Sequence, residues 1–192
     1  MNNIPNIVKE TSLGLQRLTI PEALFQRREV QCMGEIDRET VCGLILQLRY
    51  LEQEDGKAPI TMYINSPGGS VPDGLALYDV MKSISCPVRT VCVGTAASMG
   101  AVLFLSGQER YILPHSQVMI HDPLTGNVGG SALKIAQVSR ELMKVREVMA
   151  EIIAQHTGKT PAEILERTAT DTYFTAQEAV DFGLADKIIY EI

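Results

Sequence analysis

The sequence has few of the residues that usually build a disulfide framework or a zinc site. It holds four cysteines and three histidines in 192 residues. The cysteines are Cys32, Cys42, Cys86 and Cys92; no two stand at Cys-x-x-Cys spacing, and most lie in apolar runs. We therefore expect small, buried, reduced side chains in a reducing compartment, and neither a disulfide framework nor a metal site.

An excess of positive charge and a long apolar run are also absent. The formal net charge is −6 at pH 7, which argues against nucleic acid or an anionic membrane surface as the main partner. The longest apolar run surrounds Ser98 and is shorter than the ~20 residues of a membrane-spanning helix. No basic segment followed by an apolar one opens the chain, so no signal peptide is expected. We predict a cytoplasmic protein without a membrane span.

The composition is that of a globular domain. Apolar residues make up 45% of the sequence, which argues against disorder. No low-complexity stretch or linker divides the chain, so residues 1–192 are predicted to form a single domain. Pro5, Gly14 and Pro21 interrupt any long element near the start, so residues 1–25 are predicted to be an irregular, mobile arm.

Strand and helix patterns alternate through the middle of the chain. Three predicted strands are each followed by a turn and a helix pattern. The strands cover residues 29–33, 59–64 and 88–93, and turn formers fill residues 65–70. Repetition of this unit predicts an α/β fold with a largely parallel sheet and crossover helices.

The C-terminal half is predicted to hold short strands around one long helix. Strands are expected at residues 110–113, 117–120 and 187–190, and an irregular turn at residues 171–174. The helix runs over residues 132–156 and is about 36 Å long at ~1.5 Å per residue. This length suits either a helix that lies across its own sheet or one that projects and packs on another subunit.

Ser98 stands where a predicted strand turns into a helix. Gly94 and small residues end the strand, and an apolar helix pattern follows Ser98. A serine in this position commonly caps the helix with its hydroxyl. The same position lies beside free backbone N–H groups at the positive end of the helix dipole, which suits a nucleophile. The turn alone leaves both interpretations open.

A serine nucleophile needs a base, and only three histidines are available. His156 lies in the last turn of the long helix, where a cation is favoured. His115 follows a proline in a tight turn and is expected to be exposed. His121 ends an apolar strand, at the edge where parallel sheets place their sites, and is the candidate base.

Backbone donors and carboxylates are available for the rest of such a site. Gly68 and Gly69 let the backbone approach a ligand closely, and the N–H of Met99 is the natural second donor. A carboxylate must orient the histidine. The chemically suitable candidates are Asp122, Asp171 and Asp186. In α/β-hydrolases the acid stands between the serine and the histidine, whereas here the order would be Ser98, His121 and then a late Asp. Ala96 also replaces the first glycine of Gly-x-Ser-x-Gly, so an α/β-hydrolase is disfavoured.

Four stretches of the sequence resemble the motifs of the ClpP family, the proteolytic subunits of ATP-dependent Clp proteases. They read Tyr-Ile-Asn-Ser-Pro-Gly-Gly-Ser-Val at 63–71, Gly-Thr-Ala-Ala-Ser-Met-Gly at 94–100, Pro-His-Ser-Gln-Val-Met-Ile-His at 114–121 and Thr-Ala-Gln-Glu-Ala-Val-Asp-Phe-Gly-Leu-Ala-Asp at 175–186. The resemblance runs from about Ile36 to the end, with the motifs in the family's order.

The resemblance implies a crotonase-like spiral of repeated ββα units that acts as a serine endopeptidase. By this resemblance Ser98 is the nucleophile and His121 is the general base. The implied oxyanion-hole donors are Gly69 and Met99, with Gly68 alongside. No metal or cofactor is implied.

The resemblance also implies an assembly. Two face-to-face heptameric rings would enclose a chamber, formed by this chain alone or with a second ClpP isoform. The helix at residues 132–156 resembles the family's handle helix, which projects and interlocks the rings. A hexameric Clp ATPase would deliver unfolded polypeptide, and Tyr63 lies near where the family docks this ATPase.

The sequence departs from the family pattern around the third triad member. The family usually has Arg-Asp-x-Phe, whereas residues 170–174 read Thr-Asp-Thr-Tyr-Phe. Counting from either flanking motif places Asp171 on the triad position; matching Phe174 to the family's Phe would place Thr172 there. A threonine can hold an imidazole but cannot stabilise an imidazolium by charge, which favours Asp171. Because the usual Arg is missing, ring assembly or its coupling to activity is expected to differ.

These patterns predict a serine endopeptidase subunit that cleaves unfolded polypeptide in a closed chamber. A separate unfoldase would use ATP, because the sequence has no Gly-x-x-x-x-Gly-Lys-Ser/Thr loop. One alternative is a catalytically weak structural subunit that needs a second, active isoform, as the missing Arg suggests. Another is a crotonase-type acyl-CoA enzyme, which shares the fold and a glycine oxyanion hole but needs no Ser–His pair.

Overall fold

The computed structural model describes residues 5–12 and 14–192. Strands and helices alternate along this part of the chain. The strands are β1 (Asn6–Thr11), β2 (Gly14–Thr19), β3 (Glu29–Ile36), β4 (Ile60–Gly69), β5 (Val88–Ala97), β6 (Glu109–Ile112), β7 (Gln117–Ile120), β8 (Thr172–Thr175) and β9 (Lys187–Ile188). The helices are α1 (Ile20–Phe25), α2 (Arg38–Glu54), α3 (Val71–Ser83), α4 (Met99–Leu105), α5 (Ala132–Thr157), α6 (Pro161–Thr168) and α7 (Ala176–Phe182).

Seven of the strands form a mostly parallel sheet. The order is β3-β4-β5-β6-β9, with β7 beside the end of β5 and β8 beside β7. Every pairing in this sheet is parallel except that of β7 with β8. Helices α2, α3 and α4 connect successive parallel strands. The predicted α/β class, with a largely parallel sheet and crossover helices in the manner of the crotonase and ClpP fold, is confirmed.

The crossover helix α2 shows how the sequence positions such an element. Asp37 caps it by accepting a hydrogen bond from the N–H of Thr40, and such a cap is worth ~1 kcal/mol. The helix buries one apolar face against the sheet, formed by Val41, Leu44, Leu48 and Leu51. Burial of four such side chains contributes roughly 6–12 kcal/mol. Packing therefore decides where the helix lies, and the cap decides where it begins.

Strands β4 and β5 run further than the sequence pattern predicts. The pattern ends them at residues 64 and 93, whereas the structure continues them to Gly69 and Ala97. Gly68 and Gly69 have φ angles of 100° and 152° and stay paired with β3 across a register shift. The turn-forming residues thus bend the strand without ending its pairing. The extension brings the Gly-Gly pair and the turn at Ser98 to one end of the sheet.

The prediction of irregular chain before residue 25 is wrong for the described residues of that segment. Strands β1 and β2 form an antiparallel hairpin, and α1 follows directly. The start of α1 is fixed by a capping box between Thr19 and Glu22, with a proline in its first turn. Pro21 therefore begins an element that it was expected to break. Positions 1–4 and 13 lie outside the described residues, and the mobility of the segment stays a prediction.

The irregular turn predicted at residues 171–174 is also wrong. Residues Thr172–Thr175 form strand β8, which pairs with β7. The segment reads Thr-Tyr-Phe-Thr and lacks the aliphatic residues that mark the equally short strands β6 and β7, so the strand is specified by its partner rather than by local pattern. Phe174 is the buried member of this strand.

Helix α5 divides into two unlike halves. Its bounds match the sequence prediction to within one residue, and Gly158 closes it in the left-handed conformation. The buried residues Met149, Ala150, Ile153 and Ala154 all lie in its second half. In the first half the exposed fractions of Leu133 and Ile135 are 84% and 46%. The first half therefore does not lie across the sheet of its own chain, and its packing on another subunit stays a prediction.

His156 and one cysteine differ from expectation. His156 is half-buried and shares a 2.9 Å hydrogen bond with the Tyr78 hydroxyl. Burial, reinforced by nearby positive charges, lowers the pKa of His156 to about 4. It is therefore neutral at pH 7, rather than the cation expected at a helix C-terminus. All four cysteines are free, and Cys42 is exposed whereas the other three are buried.

Candidate active site

Ser98 occupies the tight turn between β5 and α4 with unusual backbone angles. Its φ and ψ are 55° and −122°, and φ is positive for only one other non-glycine residue in the described part of the chain, Arg28. Positive φ is uncommon in side-chain-bearing residues and marks a turn held by its surroundings. The residue stands at the N-cap position of α4, but its side chain makes no capping hydrogen bond. The hydroxyl is therefore available for another partner.

The partner of this hydroxyl is His121. Ser98 Oγ and His121 Nε2 are 2.8 Å apart. Their proximity follows from the sheet, because Ala97 pairs with Met119 across β5 and β7. The N–H of Ser98 also donates to the carbonyl oxygen of Met119 at 2.9 Å. Two backbone contacts thus fix the serine turn to the strand that leads into His121.

Asp171 reaches His121 from the other side through the register of β7 and β8. These strands pair Ile120 with Thr172 in antiparallel fashion, so the next residues outward are His121 and Asp171. The Nδ1 of His121 and Oδ1 of Asp171 are 3.3 Å apart, with side-chain exposures of 12% and 60%. This distance is long for a charge-assisted hydrogen bond. The carboxylate therefore lies beside the imidazole but remains largely accessible to water.

The alternative third member, Thr172, is engaged elsewhere. Its Oγ1 donates a 2.6 Å hydrogen bond to the carbonyl oxygen of Arg167. Because neighbouring residues of a strand point to opposite faces, a side chain one position along from Asp171 does not point towards His121. The geometry brings Asp171, and not Thr172, beside the imidazole.

The other two candidate carboxylates make different contacts. Asp122 accepts hydrogen bonds from Arg146 Nε at 2.6 Å and from Thr168 Oγ1 at 2.7 Å. Asp186 forms an ion pair with Arg110, the guanidinium of which also donates to carbonyl oxygens at the end of α5 and of α7. Neither of these carboxylates is paired with a histidine.

The glycines next to Ser98 permit a close approach of two backbone segments. A Cβ added at Gly68 would stand 2.7 Å from the Cβ of Ser98, and one at Gly69 would stand 2.2 Å from the carbonyl oxygen of Ile36. The N–H of Gly68 already donates to Ser66 Oγ at 3.1 Å. Met99 is the first residue of α4, so its N–H has no acceptor within the helix. The donor roles of Gly69 and Met99 stay predictions.

A small apolar cavity of about 20 Å³ opens beside Ser98 and His121. Its other walls are Val71, Met99, Val102, Ile120, Pro123, Met149 and Ile153. Sequence reasoning did not single out most of these residues. The only signal they give is that of apolar helix faces and a strand end, which does not distinguish a substrate cavity from ordinary core.

Tyr63, the candidate for partner docking, lies away from this site. It stands on β4 between Gln31 and Val91 in the register, about 20 Å before Gly69 along an extended strand. Partial burial raises the pKa of its phenol, and the charge of Glu29 adds to the effect. Its docking role stays a prediction.

The described residues hold neither a candidate membrane span nor a candidate metal site. No helix there combines the length and apolarity that crossing a bilayer requires. Nor do three or more His, Cys, Asp or Glu side chains of residues 5–12 and 14–192 come together in a way that could hold a metal ion.

Comparison with known protein families gives a match to Clp protease over residues 12–191. The matched range takes in almost the whole chain of 192 residues. It contains the serine turn, the strand that leads into His121 and the segment around Asp171. The chain therefore belongs to the Clp protease family, which is a family of peptidases.

Proposed function

We propose that this chain is a cytoplasmic serine endopeptidase subunit of a Clp protease and hydrolyses peptide bonds of unfolded polypeptides. The observation that carries the proposal is the 2.8 Å contact of Ser98 Oγ with His121 Nε2 at the start of α4. A hydroxyl at this distance from an imidazole nitrogen can lose its proton as it attacks a carbonyl carbon. Four free cysteines suit a reducing compartment.

The proposed reaction has two halves. Ser98 Oγ bonds to the carbonyl carbon of the scissile peptide while its proton passes to His121 Nε2. The C–N bond then breaks, and His121 returns the proton to the leaving amine, so that an ester of Ser98 remains. Water attacks this ester, gives one proton to His121 and releases the carboxyl product. The same proton returns to Ser98 Oγ and restores the site.

The negative charge of the tetrahedral intermediate requires donors close to Ser98. We assign the N–H groups of Gly69 and Met99 to this role, since both lie on segments that border the serine turn. The N–H of Gly68 is already bound to Ser66 Oγ. Gly68 instead contributes by having no side chain, because a Cβ there would collide with Ser98.

Asp171 is assigned to hold the Nδ1–H tautomer of His121 and to stabilise the imidazolium that forms. Its contact is the weakest of the proposed triad, with a 3.3 Å distance and a 60% exposed carboxylate. Water competes for such a carboxylate and screens its charge. This observation favours a second candidate function, in which the chain is a weakly active subunit that depends on a second, active isoform.

The apolar cavity supports a proposal about cleavage preference. It borders both Ser98 and His121, and its remaining walls carry no charged side chain. A charged substrate side chain placed there would lose its hydration without a compensating partner. Because its volume of about 20 Å³ has room for roughly one water-sized group, we assign the cavity to a small apolar group of the substrate next to the scissile bond.

The proposed ring assembly is argued from the exposed apolar side chains of α5. The projecting half of α5 carries apolar side chains that would be covered if two heptameric rings stack through it, in rings of this chain alone or mixed with a second isoform. A hexameric Clp ATPase is proposed to dock near Tyr63 and to deliver the polypeptide.

The proposal is tested by hydrolysis of short fluorogenic peptides with the purified chain. We expect Ser98→Ala to abolish hydrolysis, and Ser83→Ala to leave it unchanged, because Ser83 is an exposed serine that donates only to the carbonyl oxygen of Val80. Hydrolysis that survives Ser98→Ala would contradict the proposal and favour chemistry of the acyl-CoA type. If the chain hydrolyses peptides only when a second isoform is added, the weak-subunit candidate holds.

A further inference from the structure

The residue directly after His121 has a hydrogen-bonding pattern that the proposed reaction does not use. Asp122 Oδ2 accepts from Arg146 Nε at 2.6 Å, and its Oδ1 accepts from Thr168 Oγ1 at 2.7 Å. Its backbone N–H donates to the carbonyl oxygen of Thr168 at 2.7 Å. Both carboxylate oxygens and the main chain of one residue are thus bound to α5 and α6.

These bonds lie on one side of the contact between His121 and Asp171. On the other side, the pairing of β7 with β8 ends at Ile120 and Thr172. His121 is the first residue past the end of the β7 ladder, so the ladder alone does not hold its backbone. The bonds of Asp122 supply the next fixed point along the chain.

Thr168 extends the same restraint to the segment that carries Asp171. It ends α6 and stands only three residues before Asp171. The bond between Asp122 and Thr168 therefore closes a short loop in which His121 and Asp171 face each other. Thr168 as a whole is only 5% exposed, so water does not readily replace its hydroxyl as the donor to Asp122.

We call the side chains of Asp122, Arg146 and Thr168, which are joined by hydrogen bonds through Asp122, the clamp. Arg146 connects the clamp to the long helix α5. Its guanidinium binds Asp122 and also donates to the carbonyl oxygen of Leu165 at 2.9 Å. The side chains of Arg146 and Asp122 are 23% and 31% exposed, so the ion pair is partly shielded from water. Arg146 belongs to α5, the helix whose first half projects from the described part of the chain.

We propose that Asp122 is a positioning residue, which with Arg146 and Thr168 holds His121 against Asp171 and fixes this pair to α5 and α6. The inference rests on the proposed serine peptidase function. Without the clamp, the backbone at His121 is free to move at the 3.3 Å contact that is already the loosest of the site. Misplacement by ~1 Å can cost about 10²-fold in rate.

The test is a double-mutant cycle on peptide hydrolysis by the assembled protein. Asp122→Asn keeps an acceptor for Thr168 but loses the charge that binds Arg146. We expect kcat to fall about tenfold with KM within about twofold, since positioning affects the reaction more than substrate binding. In an Asp171→Asn background the same change should lower kcat less than about threefold, because the pair it holds is already broken.

Two matched variants of Thr168 test the same inference if Asp122→Asn disturbs folding. Thr168→Ser retains the hydroxyl and should keep kcat within about twofold, whereas Thr168→Val removes the donor and should lower kcat several-fold. Glu109→Gln, which breaks the 2.6 Å ion pair with Arg89 on the sheet, is the control for loss of an ion pair. It should leave kcat unchanged.

Two results would overturn the inference. One is an equal fall for Asp122→Asn in both backgrounds, which would mean that the residue acts independently of Asp171. The other is equal kcat for Thr168→Ser and Thr168→Val. Failure of the proposed function itself would appear separately, as hydrolysis that does not depend on Ser98.

Discussion

Two regions of the molecule differ in how many of their contacts lie within the chain itself. One is the end of the sheet that carries Ser98, and the other is the first half of α5. At the sheet end, Ser98 is bound to Met119 and His121 through contacts of 2.9 and 2.8 Å within the chain. On α5, Leu133 and Ile135 remain 84% and 46% exposed. Large apolar side chains that are exposed on one segment are candidates for burial against a partner. The contacts of Ser98 thus lie within one chain, whereas the first half of α5 leaves large apolar side chains exposed.

The contrast predicts that substitutions in the two regions affect different measurements. Changes at the sheet end should alter kcat and leave the native mass of the protein unchanged. Changes on the exposed half of α5 should alter native mass first, and activity only as a consequence.

The largest expected effect is that of His121→Ala. Without the base, the proton of Ser98 has no acceptor at 2.8 Å, and kcat for peptide hydrolysis should fall by about 10⁴-fold or more. Native mass spectrometry should show the same assembly as the unmodified protein. His115→Ala, at an exposed position in a turn, is the matched control and should change neither quantity. A similar loss of activity in both variants would contradict the assignment of His121.

A smaller loss is expected at the third triad position. Asp171→Ala should remove most of the peptidase activity, at most by the ~10⁴-fold that loss of a triad carboxylate costs, because its contact with His121 is long and exposed. Thr172→Ala should stay within about threefold of the unmodified protein, because its hydroxyl donates to the carbonyl oxygen of Arg167 and not to His121. Steady-state kinetics on one fluorogenic peptide gives both values. The opposite order would show that the carboxylate beside His121 in the structure is not the one that supports catalysis.

Substitutions on the projecting helix test the other region. Leu133→Glu combined with Ile135→Glu places charges on side chains that are exposed in the single chain, so the thermal midpoint of the subunit should shift by no more than about 2–4 °C. The native mass should fall to that of smaller species, because burial of two unpaired charges disfavours the interface. Lys134→Glu, between them on the helix, is the control for added negative charge. An unchanged native mass for the double variant would show that this part of α5 does not contribute to the assembly interface.

The smallest expected effect concerns stability and pH at His156. Its pKa is lowered to about 4 in the folded protein, whereas an unfolded histidine titrates near ~6.5. As the pH falls, the unfolded state therefore binds this proton first. The contribution of neutral His156 is fully present above about pH 6.5 and is lost as the pH approaches 4.

Thermal unfolding from pH 7.5 to 4.5 measures this contribution. The unmodified protein should lose roughly 2–5 °C more than His156→Gln over that range. The difference between the two proteins removes the effect of other titrating groups. Parallel curves would show that the hydrogen bond to Tyr78 and the burial around His156 do not keep the imidazole neutral.

The sequence predicts the parts of the site that depend on local chemistry. A glycine-containing turn between a β-branched strand and an apolar helix is a short-range signal, and it locates Ser98 correctly at a strand-to-helix junction. The same local signal does not separate a helix cap from a nucleophile. That distinction depends on the backbone angles of 55° and −122°, which leave the hydroxyl outside the cap geometry.

The parts that were missed depend on pairing between distant segments. Strand β8 is recognisable only through its register with β7, and this register is also what brings Asp171 opposite His121. The bonds of Asp122 to Arg146 and Thr168 join residues 24 and 46 positions apart. The hairpin of β1 and β2 was missed for a different reason, because Gly14 was interpreted as a break when it begins a strand.

The site of modification by a fluorophosphonate tests whether Ser98 is a nucleophile activated by His121. This reagent forms a stable bond with a serine hydroxyl only when a base and oxyanion donors activate it. Intact-protein mass followed by peptide mapping should show one adduct per chain, on Ser98, and its formation should be lost in His121→Ala. An adduct on another serine, or equal labelling of Ser98 with and without His121, would contradict the account.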